Sequence, residues 1–297
     1  MTQTKTYRAR KPHRSVFHEL RGIRYHVNEW GDTEKPLLVM LHGWGDCGTS
    51  FQFLVDELQE DWFVIAPDWR GFGKSYSRAF AYWFPDYVAD LDALLKIYQP
   101  EGAVNLLGHS MGANVSGLYA GTMPERVAAV INVEGFGLLD SDPQRAPDNY
   151  RRWIEQGRSM PTYQTYAEFD ELAQRILGRS PAMGQDKAMF VAKLWATRND
   201  DDRVELRADP AHKLPNAVQY RRAEAVACWA QIAAPLLRVL GSDTSFRDAA
   251  KAWLDLDESA AGEPVARTEV IRNAGHMVHF EQPAELATVV EAFLHKG

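Results

Sequence analysis

Cysteine is scarce in this chain of 297 residues: Cys47 and Cys228 are its two copies, too few for a disulfide framework, and both are expected to be free thiols. Long apolar runs are missing as well. No stretch of about 18 or more apolar residues could span a bilayer, and the polar N-terminus lacks the apolar core of a signal peptide, so a soluble, cytoplasmic protein is expected. Positive charge is in deficit: 33 Lys and Arg against 40 Asp and Glu leave a net charge of −7, which argues against a nucleic-acid backbone as partner. The basic stretch from Lys5 to Arg14 is expected to be a solvated N-terminal arm. Internal repeats and low-complexity tracts are absent. With 45% hydrophobic residues, the chain can bury a large core as one α/β unit with an insertion, or as two small domains.

Within that framework Gly108-His109-Ser110-Met111-Gly112 directly follows the apolar run Val104 to Leu107. A GxSxG between a strand and a helix sets its serine on a sharp, strained turn with the hydroxyl clear of the backbone. A serine at positive φ brings the residues two before and two after it nearly into contact, so glycine is needed at both. Met111 to Met123 is predicted to be the helix, with Gly112, Ala113, Gly117 and Ala120 letting it lie close to a sheet.

A serine hydroxyl is a weak nucleophile at neutral pH and needs a histidine base held by a carboxylate. Thr268 to Arg272 has a strand pattern and ends in Asn273-Ala274-Gly275-His276, which puts His276 on a loop at a strand's C-terminal end. Pro235 to Leu240 is another buried-strand run and delivers Gly241-Ser242-Asp243 to the same edge. The order Ser110, Asp243, His276 separates this arrangement from the chymotrypsin-like and subtilisin-like orders. Glu134, at the end of the strand pattern Val127 to Val133, is the alternative acid, with Asp243 favoured. For the oxyanion of a tetrahedral intermediate, Leu37 to Leu41 is a strand leading into His42-Gly43-Trp44-Gly45-Asp46, and the backbone N–H groups of Trp44 and Met111 are the expected donors.

These pieces, together with Pro67-Asp68-Trp69-Arg70-Gly71-Phe72-Gly73-Lys74-Ser75 and Gly275-His276-Met277-Val278-His279-Phe280-Glu281-Gln282-Pro283, resemble a lid-bearing member of the α/β-hydrolase superfamily, over nearly the whole chain and in the family's order. The resemblance implies a mostly parallel central sheet flanked by helices, with a helical lid inserted after the sixth core strand. Relatives often carry the acid three residues after the glycine that ends the strand, whereas Asp243 is two after Gly241; other relatives take it from the strand end where Glu134 lies.

Strand and helix patterns alternate from residue 37 to 133 and favour a parallel sheet. After Phe136 the alternation stops and mostly helical patterns follow until strands return at Pro235. The expected division is a core of residues 1–136 and 232–297 with a lid of residues 137–231 over the C-terminal edge of the sheet, where such sites lie. Most of the lid's rings are expected to pack its own core, with Tyr150, Trp153 and Trp195 as candidates for substrate contact.

His279 forms an HxxH with His276, but without a surrounding ligand set it is no case for zinc, and no metal or cofactor is expected. His42 and His109 are expected to brace the oxyanion turn and the elbow, and Asp68 with Arg70 to stabilise a turn as a pair. The chemistry expected is acyl transfer to water on a small or medium, largely apolar carboxylic ester or a lactone. Carbon–carbon bond hydrolysis, peracid formation, or a slow-turnover ligand receptor that keeps the triad are the alternatives.

Overall fold

Leu38 to Leu41 and Phe63 to Pro67 carry apolar side chains that are buried one after another, the pattern of strands covered on both faces. The computed structural model describes residues 6–75, 81–251 and 266–295. In chain order it contains β1 (Arg14–Leu20), β2 (Ile23–Trp30), β3 (Leu37–Leu41), α1 (Gln52–Glu57), β4 (Phe63–Pro67), α2 (Phe84–Tyr98), β5 (Val104–His109), α3 (Met111–Thr122) and β6 (Val127–Val133). An insertion follows, with α4 (Ala146–Gly157), α5 (Phe169–Arg179), α6 (Gln185–Trp195), β7 (Ala196–Arg198), β8 (Val204–Leu206) and α7 (Arg222–Trp229). The chain then returns to the sheet through β9 (Leu236–Gly241) and β10 (Ala266–Ile271), and ends in α8 (Val278–Glu281) and α9 (Pro283–Leu294).

Eight strands form one sheet in the order β1-β2-β4-β3-β5-β6-β9-β10. The β1–β2 and β2–β4 pairs are antiparallel and every other neighbour is parallel, so β3, β5, β6, β9 and β10 all end on the same edge. One apolar layer, with Leu91, Val115, Tyr119 and Trp229, covers one face; a second, with Phe51, Leu54, Leu286 and Val290, covers the other. A third cluster ties the insertion to the core by packing Leu172, Ile176, Met189 and Val204 against Phe53 and Phe280. No described helix is long and apolar enough to cross a membrane.

Three local expectations change. The stretch before β1 is docked through its backbone from Tyr7 onward while Arg8 and Arg10 stay exposed: the buried Asp56 carboxylate accepts the Tyr7 hydroxyl and the backbone N–H groups of Arg10 and Lys11, and Lys5 lies outside the described residues. Gly117 on α3 faces α7 and not the sheet, since a methyl group there would sit 3.0 Å from Trp229 Nε1. Asp68 and Arg70 do not pair with each other. Asp68 accepts from the Gly48 and Lys74 N–H groups and from His26, whereas Arg70 binds Asp90 through Nε and Nη2, both at 2.6 Å.

Candidate active site

The elbow is strained as its sequence demands: Ser110 adopts φ 52 and ψ −113 between the last residue of β5 and the first of α3. L-residues rarely tolerate that region, and here neighbouring strands hold it. Ser110 N–H donates to Val133 O at 2.9 Å, and Ser110 O accepts from Asn114 N–H. A methyl group on Gly108 would lie 2.4 Å from Ala113 Cα, so the turn itself requires the first glycine. The second is required from elsewhere. A methyl group on Gly112 would lie 2.0 Å from Leu41 O, so it is the end of β3 that excludes a side chain.

β3 neighbours β5 in register, Leu41 beside Gly108, and so the loop after β3 crosses in front of the elbow. A methyl group on Gly43 would lie 2.9 Å from His109 Nδ1 and 3.2 Å from Ser110 Cβ. The neighbouring Trp44 is half exposed and lines the same cavity as Ser110. His42 braces this loop, as expected: its Nε2 accepts the Trp69 N–H at 2.8 Å and its carbonyl accepts the Trp69 indole. Burial lowers the His42 pKa, in keeping with a neutral ring that accepts at that atom.

His276 meets Glu134, not Asp243. Its Nδ1 lies 3.1 Å from Glu134 Oε2, and the Glu134 side chain is fully buried. The Gly241 N–H donates to Glu134 Oε1 at 2.8 Å and the Thr244 hydroxyl to Oε2 at 2.6 Å, so with His276 three groups hold one carboxylate. Glu134 sits at φ 58, and the Asn132 side chain clamps its turn by accepting Gly135 N–H and donating to Gly135 O, each at 2.8 Å. Asp243 is exposed. Its N–H donates to Ala274 O and its carboxylate accepts from Ser242. The inward position at this strand end is three residues beyond Gly241, and there the chain has Thr244, whose hydroxyl is spent on Glu134.

Besides the Asp243 contact, His109 and Glu281 fasten the loop that carries His276. His109 Nε2 donates to His276 O at 2.8 Å, and burial holds the His109 pKa well below the usual imidazole value, so this ring braces as a neutral group. Glu281 accepts the Gly275 N–H, and burial raises its carboxyl pKa. The HxxH pair diverges. His276 turns to Glu134, while His279 Nε2 lies 3.5 Å from Asp46 Oδ2, and single donor atoms of Asp46, His109 and His279 fall within 4.8 Å of one another. Both Asp46 oxygens already accept N–H or O–H donors, from Cys47, Ser50 and Trp195. Cys47 is buried, which raises its thiol pKa well above the usual value and suits an inert residue.

A cavity of about 850 Å³ opens over the sheet edge, lined by Ser110 and His276 from the core and by α5, the end of α6 and the segment after β8 from the insertion. Trp195 lines it. Tyr150 and Trp153 do not; they belong to α4, none of whose residues is buried. Asn132, Thr244 and Glu281 escaped the sequence reading, because a side chain that supports another residue across strands leaves no spacing signal.

The same features place the chain among known proteins. It is 25% identical over 293 residues to a serine hydrolase-like protein of Danio rerio, covering 93% of this chain and 85% of that one. Its structure resembles a hypothetical protein from Pseudomonas aeruginosa (TM-score 0.83, 22% identity, 95% and 99% of the two chains) and a thioesterase domain from the curacin biosynthetic pathway (TM-score 0.83, 20% identity, 95% and 99%). The profile of the alpha/beta hydrolase fold matches residues 36–283, and by that match the chain belongs to the α/β-hydrolase family.

Proposed function

We propose that this chain is a carboxylic ester hydrolase that transfers an acyl group to water through Ser110, His276 and Glu134. The observation that carries the reading is the 3.1 Å contact between His276 Nδ1 and a buried Glu134 carboxylate, beside a serine held at positive φ on the same cavity. With its proton on Nδ1, directed at Glu134, the imidazole keeps Nε2 free as a base. Ser110 Oγ attacks the carbonyl carbon while His276 Nε2 takes the hydroxyl proton. The charge that builds on the carbonyl oxygen is met by the backbone N–H groups of Trp44 and Met111, and collapse of the intermediate returns the proton from His276 to the leaving alcohol. Water activated by His276 then attacks the acyl-enzyme, releasing the acid and Ser110.

Residues 137–231 act as a lid in this reading. Their apolar cluster roofs the cavity and excludes water from the acyl-enzyme. The rings of Trp44, Trp195, Phe246 and Phe280 line the space and suit a small or medium ester with an apolar acyl or alcohol part, or a lactone. That one structural neighbour is a thioesterase domain agrees with acyl transfer as the reaction class.

The test is covalent labelling joined to turnover. A fluorophosphonate probe is expected to modify Ser110, p-nitrophenyl butyrate to be hydrolysed over many cycles, and Ser110→Ala to lose about 10⁴-fold or more in kcat while staying folded. Labelling at another residue, or one burst of p-nitrophenol with no second cycle, would overturn the reading.

A further inference from the structure

We propose that the cavity binds esters whose far end carries an oxyanion, a carboxylate or a phosphate, and that Arg175, Arg179, Arg207 and Lys213 recognise it. The proposal rests on the ester-hydrolase reading of the same cavity and adds the class of substrate. The chain holds more acids than bases, 40 against 33, so a wall drawn at random would carry carboxylates at least as often as cations. Among the described residues this wall carries those four cations and one acid. The acid is Asp46, which is buried and bonded to Cys47, Ser50 and Trp195, and so is not available to neutralise a cation across the space.

The cations come from three segments of the insertion and line the same cavity as Ser110 and His276. On α5, Leu172, Arg175, Ile176 and Arg179 all line the cavity, and their spacing of three, four and seven is one helical stripe. Arg207 follows β8, and Lys213 ends the turn Pro210–Lys213. None pairs with a carboxylate among the described residues: Arg175 has only the Gln164 amide oxygen at 3.4 Å, and Lys213 donates to Thr162 O. Arg198, which does not line the cavity, pairs with both Glu168 and Asp202. Guanidinium forks and an ammonium are the donors that bind carboxylate or phosphate oxygens, and the apolar side chains that share the lining, Leu172, Ile176 and Phe280 among them, suit the chain joining the anion to the ester.

The experiment compares methyl hydrogen adipate, the methyl ester of 6-phosphohexanoate and neutral methyl hexanoate as substrates, and titrates adipate and 1,6-hexanediol calorimetrically. The better anionic ester is expected to exceed methyl hexanoate in kcat/KM by about tenfold or more, with the advantage shrinking several-fold at high salt because the cations are solvent-accessible. The larger of the two anionic rates identifies carboxylate or phosphate as the recognised group. Arg175→Gln and Arg179→Gln are each expected to lower kcat/KM for that ester about fivefold and to leave methyl hexanoate within about twofold. Equal or better use of the neutral ester, or variants that slow all three substrates alike, would overturn the proposal while leaving the ester-hydrolase reading intact. If no ester turns over, binding decides: adipate that binds, and binds more weakly to the Arg175→Gln/Arg179→Gln variant, keeps the anion site and removes the hydrolase reading. Adipate that binds no better than the diol removes the anion site.

Discussion

Trp195 donates its indole N–H to Asp46 at 2.7 Å, joining the last turn of α6 to the loop that carries Trp44. Asp46 also accepts the Cys47 N–H on the same oxygen, so one carboxylate fixes both the loop and the insertion above it. Trp195→Phe keeps a ring and removes the bond. A hydrogen bond to a charged group contributes roughly 1.5–3 kcal/mol, and a loss of about 1–2 kcal/mol in urea unfolding is expected, together with slower ester hydrolysis. A double-mutant cycle with Asp46→Asn checks the pair; a coupling energy near zero would mean that the bond does not hold the joint.

Exchange of the acid for its amide discriminates Glu134 from Asp243. Glu134→Gln keeps the shape but presents a donor or a neutral acceptor to His276, and a comparable change in a serine triad costs about 10⁴ in kcat. A fall of roughly 10³–10⁴ is expected for Glu134→Gln, and a change within about threefold for the exposed Asp243→Asn. Because Glu134 also binds the Gly241 N–H and Thr244, thermal melting must show that the variant is folded at the assay temperature. The opposite ranking of the two variants assigns the acid to Asp243.

The elbow was legible because its constraint is local. Positive φ at Ser110 and the crowding of Gly108 against Gly112 and Ala113 act between residues 108 and 113 and force a recognisable pattern, to which Leu41 O adds the exclusion at Gly112. The mostly parallel sheet with its flanking helices was legible for a similar reason, since each buried run announces its own strand. The carboxylate beside His276 was not. Glu134 and Asp243 both follow a strand, and what turns one inward is the Asn132 clamp and Thr244, which the insertion from α4 to α7 separates in sequence and the β6–β9 pairing brings together. The docked N-terminal stretch was hidden in the same way, because it depends on Asp56 reaching backbone N–H groups about 45 residues earlier.

Stability is expected to fall on acidification, with His212 as one cause. Its ring is stacked between Phe72 and Tyr82, with centroids at 3.8 Å and 3.6 Å, and burial lowers its pKa from 6.5 to about 4. Between those values the unfolded chain holds a proton that the folded chain does not. The contribution is therefore complete above pH 6.5 and is lost as pH falls toward 4. His212→Phe keeps the stack and removes the titration, so the slope of unfolding free energy against pH should flatten by up to one proton, about 1.4 kcal/mol per pH unit. His42 and His109 are shifted in the same direction and leave a residual slope. An unchanged slope in the variant would rule out His212 as a contributor.

Gly43→Ala tests whether the loop after β3 supplies an oxyanion donor. The added methyl group would meet His109 Nδ1 at 2.9 Å and Ser110 Cβ at 3.2 Å, both closer than ordinary contact. Neither neighbour can yield easily: His109 is buried and bonded to the loop of His276, and Ser110 is fixed by the elbow. The loop must therefore move away, taking the Trp44 N–H with it. Since removal of one oxyanion donor costs about 10²–10³ in kcat, a loss of that size is expected with KM changed by less than about threefold. Fluorophosphonate labelling of Ser110 should persist at a reduced rate, because the nucleophile and its base stay in place. If Gly43→Ala hydrolyses esters at the parental kcat, the donor lies elsewhere, and Trp44 is only part of the cavity wall.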